Sequence, residues 1–275
     1  MPKRDNNTLI ISSKNYTSRI LIGVPLTGLV RGEYMMARYG QIHPINWSSV
    51  EMIQWLDQYS PLGFLVADAR NLIVDKCIRG EFEWLLFIDH DVVLAQGAFV
   101  KVNQRMLDNK IPMWSGLYFA KAVPSDPLVF RGTGNAYYKN WKLGDEVWVD
   151  GIPMGITLIH SSILKILWNE SEEYKLMGKA VRRVFETPYT TMFDPETGNW
   201  FNYGGTEDLA LCARIIREDV LRRAGWPKIA KRKFPFMIDT ALFCRHIDPS
   251  GLQYPSRGEE LQYVRRESVK THKEK

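Results

Sequence analysis

The stretch that most constrains this chain is Glu83-Trp-Leu-Leu-Phe-Ile-Asp-His-Asp-Val-Val93. Trp84–Ile88 is an unbroken apolar run of strand length, and it stops at two carboxylates, Asp89 and Asp91. A strand with no polar alternation is buried on both faces, which suits the centre of a parallel sheet. Ligands of open α/β sheets bind beyond the carboxyl ends of the strands. Asp89 and Asp91 are therefore predicted to stand at the mouth of a site. Spaced i, i+2 around a strand end, both can turn toward one hard divalent cation while His90 points away. The same Asp-His-Asp also serves to cap a strand and open a turn. The pattern alone supports both readings equally.

Strand and helix alternate through the first half of the chain. Arg19-Ile-Leu-Ile-Gly-Val-Pro25 is a predicted first strand ending in a proline turn. Helices are predicted over 31–40 and 50–59, and a second strand over 63–67. Asp68-Ala-Arg-Asn71 then leads into an amphipathic helix closed by Gly80, and after the Asp-His-Asp strand come a helix over 98–107 and a strand over 113–119. Such alternation predicts an α/β domain with a Rossmann-like, mostly parallel sheet flanked by helices. The second half differs. Short strands are predicted at 128–130, 136–142 and 146–149, and Gly151-Ile-Pro-Met-Gly-Ile precedes a helix over 162–169. Asp194-Pro-Glu-Thr-Gly198 is a tight turn, Thr206 an N-cap for a helix running from Glu207 to about Val220, and 236–244 a strand followed at once by Arg245-His246.

A length of 275 residues suits one large domain. The expected division is an arm over 1–18, a domain over 19–248 with halves meeting at 120/121, and a charged tail over 249–275. Three scattered cysteines are too few for a disulfide framework, no apolar segment approaches membrane-spanning length, and the first residues lack a signal-peptide core. A reducing, cytoplasmic setting is the expectation. The net charge of +5 owes much to Arg222-Arg223, Lys228, Lys231-Arg232-Lys233 and the C-terminus. Those runs are a solvated surface or a contact for anionic lipid or an acidic acceptor. They lack aromatic interleaving, so no nucleic-acid partner is expected. Nine tryptophans and twelve tyrosines include rings suited to stacking on sugars, Trp200 and Phe201 among them.

In order, the motifs are the strand with its proline turn, Ala-Arg-Asn71, Asp89-His-Asp91, Trp114-Ser-Gly-Leu-Tyr-Phe119, Met154-Gly-Ile156, Thr206-Glu-Asp208, and Asp239-Thr240 before Cys244-Arg-His246. That series resembles the GT-A fold glycosyltransferases, in particular inverting enzymes of the family 2 type, over roughly 19–248. The resemblance implies a nucleotide-diphosphate sugar donor, with UDP or GDP as nucleotide, and Mn²⁺ or Mg²⁺. It implies direct metal contact by Asp91 and a further ligand in His246. Asp89 then serves a ribose hydroxyl or the metal's water shell. Arg70 and Asn71, taken to begin a helix, are placed against the diphosphate, where guanidinium and backbone N–H groups suit phosphate. Pro25 floors the base and ribose, and Gly116 lets backbone approach the donor sugar. Asp208 is nominated as general base, with Glu207 as its deputy, for an acceptor hydroxyl on a glycan, a lipid-linked molecule or a protein. Gly204-Gly205 permits a mobile loop. The chain lacks the Gln-x-x-Arg-Trp element of processive synthases, so single-sugar transfer is expected. Two other classes stay open: a sugar-nucleotide nucleotidyltransferase, and a non-catalytic module that binds nucleotide sugars or glycans.

Overall fold

The structure, a computed structural model, describes residues 20–26, 28–44, 50–53, 64–132, 137–196 and 198–261. It is a mixed α/β architecture around a seven-stranded, largely parallel sheet. In spatial order the strands are β2 (Val50–Ile53), β1 (Ile20–Gly23), β3 (Trp84–Ile88), β7 (Ile156–His160), β5 (Met113–Leu117), β12 (Phe236–Phe243) and β6 (Glu146–Val149). All run in one direction except β7, which is antiparallel to both β3 and β5, and β6, which is antiparallel to β12.

The period of two along β1 and β3 sorts their side chains to opposite faces. Leu21, Leu85 and Phe87 join one core with α2 (Val66–Arg79), α4 (Ser161–Glu170) and α5 (Glu207–Arg217). Ile20, Ile22, Trp84, Leu86 and Ile88 join the other, with α1 (Gly32–Tyr39) and α3 (Ala98–Asp108). The unbroken apolar run at Trp84–Ile88 thus reflects a strand covered on both sides, and all five residues are buried. Two short helices, α6 (Val220–Arg223) and α7 (Pro227–Ala230), follow α5.

Smaller sheets extend the frame. The two-residue strand β4 (Val92–Val93) pairs antiparallel with β13 (Arg245–Ile247), which pairs with β14 (Gln253–Tyr254). Hairpins form from β8 (Glu173–Leu176) with β9 (Lys179–Arg182), and from β10 (Tyr189–Asp194) with β11 (Asn199–Gly204) around the predicted turn. Among the described residues no helix is long and apolar enough to cross a membrane.

Several sequence expectations need correction. Residues 50–53, read as the start of a helix, form edge strand β2, where parallel pairing with β1 overrides a helical pattern; the rest of that segment lies outside the described residues. The predicted strand over 63–67 gives way to helix α2, which begins at Val66; Gly63 is outside the described residues. Around 128–130 and 137–142 only isolated bridges form, Phe130 with Tyr137 and Gly151. The helix from Glu207 stops at Arg217, and chain direction changes at Asp219, which has φ of +50°. Thr206 occupies the N-cap position without a side-chain cap bond. Within the charged tail expected over 249–275, Gln253–Tyr254 form β14, paired with β13. The predicted N-terminal arm and residues 262–275 lie outside the described residues.

Candidate functional site

β1 has β2 on one side and β3 on the other, with α1 on one face of the sheet and α2 on the opposite face. The connection after β1 runs through α1 to β2 on one side, and the connection after β3 runs through α3 to β5 on the other; such a switch opens a crevice beyond the carboxyl ends of β1 and β3. A cavity of about 200 Å³ lies there. Pro25 and Leu26, which follow β1, form one wall; Phe64, Val66 and Ala69 at the start of α2 form another. The polar end is Asp89, His90 and Asp91. His90 therefore lines the cavity, contrary to the expectation that it points away. Its Nδ1 lies 3.2 Å from the Pro25 carbonyl oxygen, tying the two strand ends together.

The centre of the site is Arg70. Its Nη2 donates to both Asp89 carboxylate oxygens at 3.1 and 3.0 Å, and its Nη1 lies 2.7 Å from Glu207 Oε1. The side chain is 3% exposed, its guanidinium lies over the Phe87 and Phe185 rings, and Nε is buried without a hydrogen-bond partner. Arg70 is the fifth residue of α2, one helical turn inside it, not at its start. The expected phosphate-facing guanidinium is instead spent on joining the strand-end Asp89 to the first turn of α5. Asn71 departs further from expectation. Its side-chain amide donates to Phe185 O at 2.9 Å and its oxygen accepts from Phe185 N at 2.7 Å, so it fastens the segment after β9 to α2.

Burial raises the Glu207 and Asp89 carboxyls above their ordinary range, with Arg70 opposing in each case. Asp91 behaves otherwise. Burial pushes it up, but His246 and the Lys121 ammonium overcome that and hold it below the usual carboxylate range. Lys121 Nζ sits 2.5 Å from Asp91 Oδ2. Nothing in the sequence singled out Lys121, which lies in the loop after β5. Asp208, half-buried beside Glu207, accepts a hydrogen bond from Leu209 N at 2.8 Å.

His246 arrives by strand pairing, since β13 places it opposite Val92 and Ile247 N donates to Asp91 O at 2.8 Å. Its Nδ1 is 2.6 Å from Phe119 O. A carbonyl only accepts, so Nδ1 carries the proton and Nε2 keeps its lone pair. Burial lowers the imidazole below its ordinary value, with Asp91 opposing. An imidazole with its far nitrogen fixed by a carbonyl is the arrangement found in metal-binding histidines.

Among the described residues no group of three or more His, Cys, Asp or Glu side chains is disposed to hold a metal ion. The expected trio of Asp89, Asp91 and His246 is thus not an all-protein cage, because Arg70 takes both oxygens of Asp89. Asp91 and His246 remain as one hard oxygen and one imidazole donor. Mg²⁺-like cations are commonly held by one or two protein groups, with phosphate and water filling the shell. The two residues fit that kind of site.

Gly116 lies elsewhere. In β5 it pairs with Asp239 of β12, where the register shifts, and a Cβ there would come within 3.0 Å of Leu242. It lies where the sheet register shifts, with Leu242 packed against its Cα. The glycine that the site does require is Gly155. Its carbonyl accepts from Asp89 N at 2.9 Å, its N–H donates to Tyr118 Oη at 2.7 Å, and a Cβ would fall 2.5 Å from that hydroxyl. Tyr118 is buried, which raises its phenol well above the ordinary value and keeps it protonated. Gly205 N donates to Pro188 O at 3.1 Å, anchoring the segment read as a mobile loop. The side chains of Trp200 and Phe201 lie outside the described residues.

No family model matches the chain, and no curated protein matches it. Among solved structures, the crystal structure of A197 from STIV aligns over 92% of this chain and 99% of that chain, with 17% sequence identity and a TM-score of 0.49.

Proposed function

We propose that this protein is a GT-A type glycosyltransferase that moves one sugar from a nucleotide-diphosphate donor to an acceptor hydroxyl, with inversion. One observation carries the reading: the strand-end Asp89 and the Glu207 of Thr206-Glu-Asp208 converge on one buried guanidinium, beside a cavity at the switch point of the sheet. Two motifs far apart in sequence thereby share one site, which their separate roles as turn and helix-start residues do not require.

The apolar walls from Pro25, Leu26, Phe64 and Val66 suit a nucleoside, and Asp89 and Asp91 lie at the polar end beyond it. Asp91 and His246 would hold Mn²⁺ or Mg²⁺, which would supply positive charge toward the departing diphosphate. Asp208 takes the proton of the acceptor hydroxyl as its oxygen bonds to the anomeric carbon, and the bond from that carbon to the diphosphate oxygen breaks. Glu207 is pinned to Arg70 and positions the start of α5, which leaves Asp208 as base.

Thermal-shift measurements with UDP- and GDP-sugars, each with and without Mn²⁺, test the proposal. A donor raises the melting temperature by mass action, and does so more with Mn²⁺. Asp91→Ala should remove the Mn²⁺ dependence while the protein stays folded, because Asp91 stands beyond the strand end. Binding of nucleotide by Asp91→Ala with undiminished Mn²⁺ dependence would count against the site.

A further inference from the structure

We infer that Lys121 is an exchangeable counter-cation of Asp91, which a divalent cation displaces and which then turns to the donor diphosphate. The inference rests on the transferase reading above and adds a residue to its donor site. Two cationic side chains meet the carboxylates after β3, and they differ in kind. Arg70 is enclosed and shared between Asp89 and Glu207, so its departure would strand two buried carboxylates. Lys121 is one-third exposed and makes a single ion pair with Asp91, whose side chain is 27% exposed.

The surroundings let the ammonium move while its backbone stays. Ala120 N bonds Asp126 O at 2.8 Å and Leu128 N bonds Tyr118 O at 3.0 Å, closing the loop on itself. Ser125 is clamped by the Glu259 carboxylate through both its backbone N–H and its hydroxyl. A lysine head is a compact point charge on a flexible stem, able to swing without disturbing a loop held this way. An ammonium and a divalent cation compete for the same Asp91 carboxylate, because each repels the other at that range. While the cation is absent, Lys121 keeps a half-buried carboxylate compensated. Once displaced, it is a free cation next to the diphosphate position, where a charge-assisted bond to phosphate is available.

The test uses the full chain and three variants: Lys121→Met, which keeps the stem and removes the charge, Lys121→Arg, and Asp91→Ala. Mn²⁺ affinity is measured without nucleotide by electron paramagnetic resonance, and UDP and GDP affinity at saturating Mn²⁺ by calorimetry. Lys121→Met should bind Mn²⁺ ~3- to 10-fold more tightly, as expected for release of a partly exposed ion pair. It should bind the diphosphates about tenfold more weakly, the loss of one charged hydrogen bond. Lys121→Arg, which keeps the charge, should stay within about twofold of the wild type for Mn²⁺. Unchanged or weaker Mn²⁺ binding by folded Lys121→Met overturns the inference, and so does undiminished diphosphate affinity. If the wild type binds Mn²⁺ through Asp91 and Lys121→Met matches it, only the role of Lys121 fails. If neither takes up Mn²⁺, the metal site itself falls with it.

Discussion

At the scale of single residues, the site is a problem of charge confined with little water. Arg70 opposes the rise that burial imposes on both the Asp89 and the Glu207 carboxyl. Arg70→Met should therefore cost on the order of 3–5 kcal/mol of unfolding free energy, the usual penalty for stranding buried charge. Urea denaturation measures it, and Arg70→Lys should recover only part, because one ammonium cannot span Asp89 and Glu207. The two acids of α5 should separate by kinetics. Asp208→Asn keeps shape but cannot accept a proton, so single-turnover transfer should fall ~10²- to 10⁴-fold with donor affinity retained. Glu207→Gln should instead lower stability through Arg70. Full transfer by Asp208→Asn would remove it as base. The sequence made Asp89, Asp91, Glu207, Asp208 and His246 legible because each sits at the end of a recognisable element. Lys121, Gly155 and Asn71's structural role were hidden, since they depend on which distant backbone passes by. Asn71 reads as a ligand until Phe185 is placed against it.

At the scale of elements, β3 and α5 were readable from apolar pattern and acidic first turn, and they carry the carboxylates. The first turn of α2 was not. An apolar run of five residues fits a strand or a buried helix start equally, and the packing of Ala67 and Ala69 into the core decides for helix. Helix α4 offers a test of its own. Its N-cap is His160, whose Nδ1 accepts from Ser162 N at 3.2 Å while its ring packs edge-on to Trp84 and Trp226. Burial lowers His160 from 6.5 to about 4. The unfolded chain thus binds a proton that the folded one refuses between those values. Stability from this group is complete above pH 6.5 and is lost as pH falls toward 4. The loss is on the order of 3 kcal/mol, at about 1.4 kcal/mol per pH unit. His160→Asn, which retains a capping acceptor, should flatten that part of the pH–stability curve measured by denaturant titration. An unchanged slope would mean another group governs the acid limb.

At the scale of the whole molecule, the sheet gives the mouth of the site and the last described residues finish it. The mostly parallel sheet was legible from the strand–helix alternation of the first half. The insertion of β7 between β3 and β5 was not, because antiparallel pairing leaves no mark on a fully buried strand's composition. Nor was the role of the segment after His246, which looks like a charged tail yet holds Ser125 through Glu259 and pairs Tyr254 with His246. Glu259→Ala should leave global stability nearly unchanged but raise amide exchange at Ser125 at least tenfold, a change of about 1.4 kcal/mol in local opening. Protection equal to wild type would show that the loop holds itself. The β4–β13–β14 ribbon has a consequence for when the protein becomes competent. It joins a residue pair beside Asp91 to chain made much later, so it is a contact of long sequence separation, and such contacts close slowly. As the nascent chain emerges from the ribosome, β1, β2 and β3 can pair with one another, whereas β5 waits for β7 and β12, and the site waits for His246 and Glu259. Closure of the site by β13 therefore comes after β1, β2 and β3 have paired, and not with them.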